Sequence, residues 1–186
     1  MARVLVTGGA GYIGSHACKA LAAAGHEPWC FDGFLTGWRE AVRFGPLIEG
    51  NLLDADALAR AFEQARPDAV MHFAALSLVG ESVAKPGLYW RNNTVGTLNL
   101  LEAMRQAGVD ALVFSSTAAT YGEVAADLIT ESAPQTPTNP YGATKLAVEQ
   151  MIADFGHAHG MRAVIFRYFN VAGADPAGRV GEWHRP

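Results

Sequence analysis

Two side chains able to move a proton, Tyr141 and Lys145, stand four residues apart in the sequence. Both fall at the start of a predicted helix, residues 141–158, so this spacing puts them on the same helix face. A lysine ammonium beside a phenol stabilises the phenolate and lowers the tyrosine pKa toward neutral, as a general base requires. The pair predicts a catalytic role, although a surface tyrosine packed on a lysine stem would show the same spacing.

A run of hydroxyl side chains, Ser115, Ser116 and Thr117, closes a predicted strand at residues 111–115. Open α/β sheets bind their ligands at the carboxyl ends of the strands. A hydroxyl at that edge can share a hydrogen bond with a substrate hydroxyl and the Tyr141 phenol. Such a run is also common as a plain cap or turn, and by itself it leaves both interpretations open.

The elements that must position these side chains begin with the sequence MARVLVTGGAGYIG. Residues 4–6 predict a buried strand, Gly8, Gly11 and Gly14 follow at three-residue spacing, and residues 12–24 predict a helix. The glycines allow a sharp turn and a close approach to a pyrophosphate, whose charge the positive end of the helix favours. This segment predicts a dinucleotide site.

An acidic residue, Asp32, follows the next predicted strand, residues 27–31. Its carboxylate can accept both ribose hydroxyls of an adenosine and would repel a 2′-phosphate. We therefore expect NAD rather than NADP, the alternative being a loop carboxylate without a ligand.

Strand and helix patterns alternate along the rest of the chain, which predicts βαβ units in an α/β, doubly wound parallel sheet of the Rossmann type. The further predicted strands are residues 46–49, 69–73, 111–115 and 162–166, and the further predicted helices are residues 55–64, 88–107 and 141–158. Residues 1–186 are expected to form one NAD-binding domain. The Gly/Asp/Pro-rich segment after Asn170 has no periodicity, and a doubly wound sheet would normally continue past its sixth strand, so we expect a fragment or truncated chain.

The composition argues against several partners. A net charge of −4 offers no basic surface for nucleic acid, and no apolar run approaches the roughly 20 residues of a membrane span. Cys18 and Cys30 lack metal-ligand spacing and fit reduced core residues, so no metal site is expected. With a strand beginning within three residues of the start, no signal peptide is expected, and the interpretation is a cytoplasmic protein.

Five motifs in order resemble the extended short-chain dehydrogenase/reductase family, and within it the UDP-sugar 4-epimerases. The motifs are TGGAGYIG, HFAA from His72, SSTAATYG from Ser115, YGATK from Tyr141 and RYFNVAGAD from Arg167. The resemblance implies NAD as cofactor and the interconversion of UDP-glucose and UDP-galactose. It makes Tyr141 the base at the sugar 4-hydroxyl, Lys145 the holder of the nicotinamide ribose, and Thr117 the bridge between substrate and tyrosine. NAD would take the C4 hydride and return it to the other face of the sugar.

The same resemblance implies the binding residues. Substrate binding falls on Thr117, Tyr141 and Asn170. Cofactor binding falls on Gly8, Gly11, Tyr12, Ile13, Gly14, Asp32, Asn51, Leu52, Phe73, Ala74, Ala75, Asn93, Ser115, Tyr141, Lys145 and Tyr168.

Three positions depart from the family pattern. Gly33 stands where an asparagine often helps hold the adenosine ribose, and Ser77 where some members carry lysine. Asn51 replaces the usual aspartate at the adenine amino group, so its carbonyl would accept that bond without the assistance of a charge. We expect modestly weaker NAD binding and an intact catalytic pair.

Other functions remain open. A UDP-pentose 4-epimerase would share nearly every motif, whereas a 4,6-dehydratase is disfavoured because Ala118 and Ala119 stand where elimination needs an acid pair. The chain could also be a non-catalytic NAD-binding module with little or no turnover. The resemblance implies a substrate-binding second half that is absent from this chain, and that half would supply much of the energy that orients the sugar. A full-length relative would be expected to form a homodimer through the helices at residues 88–107 and 141–158.

Overall fold

The protein is described by a computed structural model over residues 1–125 and 128–183. Within those ranges, six parallel strands form one sheet in the order β3-β2-β1-β4-β5-β6. Their bounds are β1 Arg3–Thr7, β2 Glu27–Asp32, β3 Leu47–Glu49, β4 Ala69–His72, β5 Ala111–Thr117 and β6 Arg162–Tyr168. The strand order reverses between β1 and β4, which is where a doubly wound sheet opens a ligand crevice. The predicted fold class is confirmed.

Six α-helices connect the described strands. Their bounds are α1 Tyr12–Ala23, α2 Ala55–Ala65, α3 Val79–Ala84, α4 Pro86–Tyr89, α5 Gly96–Ala107 and α6 Pro140–His159. Asp54 caps α2 by accepting a hydrogen bond from the Ala57 N–H at 2.9 Å, and Gly108 ends α5 in the left-handed conformation. No helix of the described ranges combines the length and the apolar composition needed to cross a bilayer.

The two faces of the sheet are unequally covered. On one face α2, α5 and α6 bury the main core, in which Leu5, Leu58, Leu101 and Phe114 are fully enclosed. On the other face the smaller cluster of Val4, Val6 and Cys18 lies where α1 packs. The edge strand β6 is poorly covered, because Val164 and Phe166 remain 52% and 47% exposed.

The helix predicted at residues 88–107 is not continuous α-helix. Residues Trp90–Val95 form a π-helical segment between α4 and α5, and the short helix α3 before them has no counterpart in the prediction. Asn93 lies in this wider turn and is buried, with its amide bonded to both the N–H and the carbonyl of Leu76. Inserted π turns of this kind are frequent at functional sites.

The segment after β6 folds back onto the domain although its sequence has no periodicity. The Tyr12 hydroxyl donates to the Gly173 carbonyl at 2.6 Å. Asp175 is 5% exposed and accepts hydrogen bonds from Lys19 of α1 and from Arg179. The Trp183 ring stacks on Trp38 with 4.5 Å between ring centroids. These contacts bring the segment over α1 and the loop after β2.

Candidate active site

The glycine turn between β1 and α1 is packed too closely for side chains. Gly8 has φ +75°, and a Cβ there would lie 2.5 Å from the Ala74 nitrogen; a Cβ on Gly14 would lie 2.1 Å from the Gly8 carbonyl oxygen. Gly11 is the N-cap of α1 and offers no capping side chain, so the first N–H groups of the helix are available to a ligand. The turn therefore brings bare backbone and a helix N-terminus to the crevice, as a pyrophosphate requires.

Asp32 is held by backbone groups at the carboxyl end of β2. One carboxylate oxygen accepts from the Ala10 N–H at 3.0 Å and the other from the Phe34 N–H at 2.8 Å. Burial raises the pKa of this carboxyl, and the backbone N–H groups oppose that change. Because a carboxylate oxygen has more than one lone pair, each can still accept from a ribose hydroxyl.

A small cavity of about 100 Å³ lies beside Asp32. Its walls include several of the predicted cofactor residues, namely Asn51, Leu52, Phe73, Ala74 and Ala75. The Asn51 side-chain oxygen Oδ1 already accepts from the Leu53 N–H at 2.9 Å, so an adenine amino group would share that oxygen. A neutral amide oxygen is a weaker hydrogen-bond acceptor than a carboxylate would be at this position.

The main cleft has a volume of about 1430 Å³ and extends from the glycine turn to the ends of β5 and β6. It collects residues from the glycine turn, the ends of β4 and β5, the start of α6 and the segment after β6. Among the predicted site residues, its walls contain Gly8, Gly11, Tyr12, Ile13, Gly14, Phe73, Ala75, Ser115, Thr117, Tyr141, Lys145, Tyr168 and Asn170.

Tyr141 is placed in the cleft by the start of α6. Asn139 caps this helix by accepting from the Gly142 N–H at 2.9 Å, and Pro140 occupies its first turn. Gly142 packs so closely that a Cβ would lie 2.4 Å from the Ala119 carbonyl oxygen, in the turn after β5. Burial raises the pKa of the Tyr141 phenol, in contrast to the lowering expected from Lys145, and a hydrogen bond with the Thr117 hydroxyl opposes the rise. The structure thus places Tyr141 beside Thr117 at the end of β5.

Lys145 is 3% exposed and lies one turn further along α6. Its ammonium donates to the Ser115 carbonyl at 2.8 Å and lies 4.7 Å from the centroid of the Phe114 ring. Burial lowers the pKa of Lys145 to about 7, and the Glu149 carboxylate opposes this effect. Two further N–H bonds of the ammonium remain for a ligand in the cleft.

Asn93 differs from the other predicted cofactor residues, because it lies outside the walls of both cavities. It is 2% exposed, accepts from the Leu76 N–H at 2.9 Å and donates to the Leu76 carbonyl at 3.0 Å. Its amide also reaches the Thr144 hydroxyl on α6 at 3.3 Å. The contacts present support the loop after β4, whose Leu76 forms part of the cleft wall.

Comparison with known proteins agrees with this geometry. A family model described as the NAD dependent epimerase/dehydratase family matches residues 4–183. The chain belongs to this family.

Relatives within the epimerase/dehydratase family are similar over almost all of the chain. A UDP-glucose 4-epimerase of Azospirillum brasilense is 56% identical over 181 residues, which are 97% of this chain and 52% of the relative. One from Rhizobium leguminosarum bv. trifolii is 52% identical and covers 98% of this chain and 56% of the relative. The chain therefore spans about half the length of these curated relatives.

Solved structures of the same family superpose closely. UDP-glucose 4-epimerase from Brucella ovis in complex with NAD has a TM-score of 0.97 at 48% identity, covering 99% of this chain and 57% of that one. The Bifidobacterium longum enzyme in complex with NAD+ and UDP has a TM-score of 0.94 at 37% identity, covering 98% and 58%.

Sequence reasoning missed several residues around the catalytic pair. Glu149 continues the four-residue spacing of Tyr141 and Lys145, a signal that could have drawn attention to it. Tyr89 packs edge-on against Tyr141 with 6.5 Å between ring centroids, and burial with Glu81 raises its pKa to about 12. Neither Tyr89 nor the π segment beside it has a distinctive local pattern.

Proposed function

We propose that this chain is the cofactor-binding and proton-transfer portion of a UDP-glucose 4-epimerase. The observation that carries the proposal is one continuous cleft with the glycine turn at one end and Tyr141, Thr117 and Lys145 at the other. A dinucleotide lying from Asp32 to Lys145 would present its nicotinamide to a sugar held by Tyr141.

The residues present fit NAD. The turn around Gly8 and Gly14 has backbone where a Cβ would collide, Asp32 has acceptor capacity for ribose hydroxyls, and Lys145 has donors free for the second ribose. When bound, NAD would supply a hydride acceptor and donor at the sugar C4. The negative charge of Asp32 disfavours a 2′-phosphate and so favours NAD over NADP.

The chain's own residues would move the proton. Tyr141 as phenolate would accept the proton of the sugar 4-hydroxyl, and as phenol would return it after the sugar has turned over. The Thr117 hydroxyl would bridge the two oxygens, and the Lys145 ammonium would stabilise the phenolate electrostatically. Asn170, which lines the same cleft, would contact the diphosphate of the UDP-sugar.

Two related activities compete with this proposal. A UDP-pentose 4-epimerase would use the same groups, and product analysis with both sugars separates the two. A 4,6-dehydratase is disfavoured, because Ala118 and Ala119, which line the cleft next to Thr117, have no acidic group.

A non-catalytic NAD-binding role for the 186 residues by themselves is the second candidate. It is favoured by the exposure of Val164 and Phe166 on β6 and by the span of about half of the curated relatives. Binding of the diphosphate and uracil would supply much of the energy that orients the sugar.

The deciding experiment measures cofactor affinity and turnover in the same sample. Calorimetric titration with NAD+ and NADP+ should show binding of NAD+ with a clear preference, and Asp32→Ala should abolish the preference. UDP-galactose conversion should be weak or absent in this chain and should appear when the chain is extended to the length of its relatives. The epimerase proposal fails if NAD+ does not bind, or if the extended protein binds NAD+ but releases water from the sugar.

We also propose that the extended protein forms a homodimer through its helical face. Val79, Val83, Val95 and Leu98 on and around α3 and α5 are each 40% exposed or more, an apolar surface that a second copy would cover. Light scattering of the extended protein should show a dimer, and its Leu98→Glu variant should be a monomer.

The free, buried thiols of Cys18 and Cys30 accord with a reducing, cytoplasmic setting for the enzyme.

A further inference from the structure

A buried carboxylate, Glu149, lies one turn beyond Lys145 on α6. It is 7% exposed and accepts hydrogen bonds from four donor groups on three residues. Arg167 donates through Nη2 at 2.7 Å and through Nε at 3.1 Å, Gln135 donates at 3.1 Å, and the Ser116 hydroxyl donates as well. A carboxylate with this many partners is costly to bury and is fixed in place once its hydrogen bonds are made.

The partners of Glu149 come from separate parts of the fold. Ser116 belongs to β5, Arg167 to β6 and Gln135 to the loop that leads into α6. Arg167 extends the network by donating to the Tyr121 hydroxyl at 2.8 Å and to the Glu131 carbonyl at 3.1 Å. Glu149 therefore ties α6 to the two strands beneath it.

Three residues of α6 each contact one residue at the end of β5. Tyr141, Lys145 and Glu149 share one helix face, and they meet Thr117, the carbonyl of Ser115 and the hydroxyl of Ser116. Three consecutive residues of β5 thus each hold one residue of α6. A slip of one residue along α6 would move the phenol and the ammonium by about 1.5 Å and turn them away from their partners.

We propose that Glu149 is a positioning residue for proton transfer: by bonding Ser116 and Arg167 it holds α6 so that Tyr141 and Lys145 face the end of β5. The inference rests on the proposed function, which assigns the chemistry to those two side chains. Glu149 itself touches neither cofactor nor substrate and acts through its neighbours on the helix.

Electrostatics gives this role a signature that packing alone would not. The groups facing Lys145 are Tyr141 and Glu149 on α6 and His72 on β4, with Arg167 on β6 behind Glu149. Burial lowers the His72 pKa to about 3, so this ring is neutral at pH 7. Glu149 is the anion that supports the Lys145 charge against burial, and its removal should lower the Lys145 pKa.

The test uses the scarcity of lysine in this chain, which has only Lys19, Lys85 and Lys145. Lysine labelled with ¹³C at Cε gives three NMR signals, and Lys145→Met assigns the one of interest. In the full chain without added ligand, Lys145 should titrate near pH 7. Glu149→Gln should move that midpoint down by about one pH unit, the size of a typical shift from one neighbouring charge. Asp154→Asn, the matched control, removes an exposed carboxylate from the same helix outside this network and should leave the midpoint within about 0.3 unit.

A folded Glu149→Gln chain with an unchanged Lys145 midpoint would overturn the inference. Should that variant not fold, Glu149→Asp carries the test, since it keeps the charge but draws it one methylene away. The midpoint must then fall by about half as much, because the interaction weakens with distance. An unchanged midpoint in Glu149→Asp would also overturn the inference.

Failure of this inference is distinguishable from failure of the proposed function. The lysine titration needs neither NAD nor a UDP-sugar, whereas the proposed function is tested by NAD+ binding and turnover. NAD+ binding with an unchanged midpoint removes the positioning role alone. A lowered midpoint without NAD+ binding removes the proposed function and leaves the network as a purely structural device, which also overturns the positioning role for proton transfer.

Discussion

Replacing Gly14 by alanine should destabilise the domain through one backbone contact. The added Cβ would lie 2.1 Å from the Gly8 oxygen and 2.9 Å from the Gly9 Cα, both parts of the main chain. To restore an ordinary separation, α1 would have to move from the turn by more than about 1 Å, and overpacking of this kind costs about 1–3 kcal/mol. Alanine returns up to about 1 kcal/mol of helix propensity, which leaves a net loss of about 1–2 kcal/mol.

Gly80 offers the matched control. It is also a helical glycine, in α3, and a Cβ there would meet nothing within 4 Å. Gly80→Ala should therefore be neutral or stabilising by up to about 1 kcal/mol. Urea unfolding, monitored by tryptophan fluorescence, gives the free energy of unfolding of both variants. NAD+ titration should show at least about tenfold weaker binding for Gly14→Ala only, because the added Cβ forces the glycine turn away from α1. The reasoning is refuted if the two variants unfold within about 0.5 kcal/mol of each other.

Further expectations concern the charged and catalytic side chains. Asp32→Asn should weaken NAD+ binding about tenfold or more in calorimetry, because charged hydrogen bonds to ribose are lost; unchanged affinity would remove Asp32 from the site. Tyr141→Phe should lower epimerase turnover in the extended protein by at least about a hundredfold while NAD+ affinity stays within a few fold, and equal turnover would exclude Tyr141 as the base. The Lys145 pKa is about 7 in the folded chain, below the ordinary lysine value, so the unfolded chain binds the extra proton between these values. The free energy of unfolding should accordingly rise with pH above about 7, by up to about 1.4 kcal/mol per pH unit, and this rise should vanish in Lys145→Met. Urea unfolding at pH 7 and 9 measures it, and an equal change in both proteins would contradict the burial of the ammonium.

Much of the fold and the centre of the site could be predicted because both depend on local patterns. Short apolar runs predicted the strands, and the glycine spacing predicted the turn whose crowding the structure explains. The four-residue interval between Tyr141 and Lys145 was enough to place both on one helix face. Their approach to Ser115 and Thr117 followed from the rule that parallel strands end at the same edge.

What the sequence did not predict depends on contacts between distant residues. The π segment contains Asn93, which bonds Leu76 17 residues away, and nothing in its local composition signals the wider turn. The segment after β6 is held by Lys19, Tyr12 and Trp38, each more than 140 residues before its partner. Such pairings carry no periodicity, so the sequence did not predict that this aperiodic stretch packs against the domain.

The crowding around Gly8 has a consequence for the order in which the cleft is completed during synthesis. The Phe73 N–H donates to the Thr7 carbonyl at 2.9 Å, and Ala74 forms the wall against Gly8, so the turn is enclosed only once β4 has paired with β1. A nascent chain that has emerged only through β3 can pair its first three strands but still lacks this wall. Since domains emerge from the ribosome N-terminus first, the glycine turn is synthesised early but can bind a ligand only after β4 has been added to the sheet. Binding of the cofactor would therefore show that β4 has paired with β1 at the centre of the sheet.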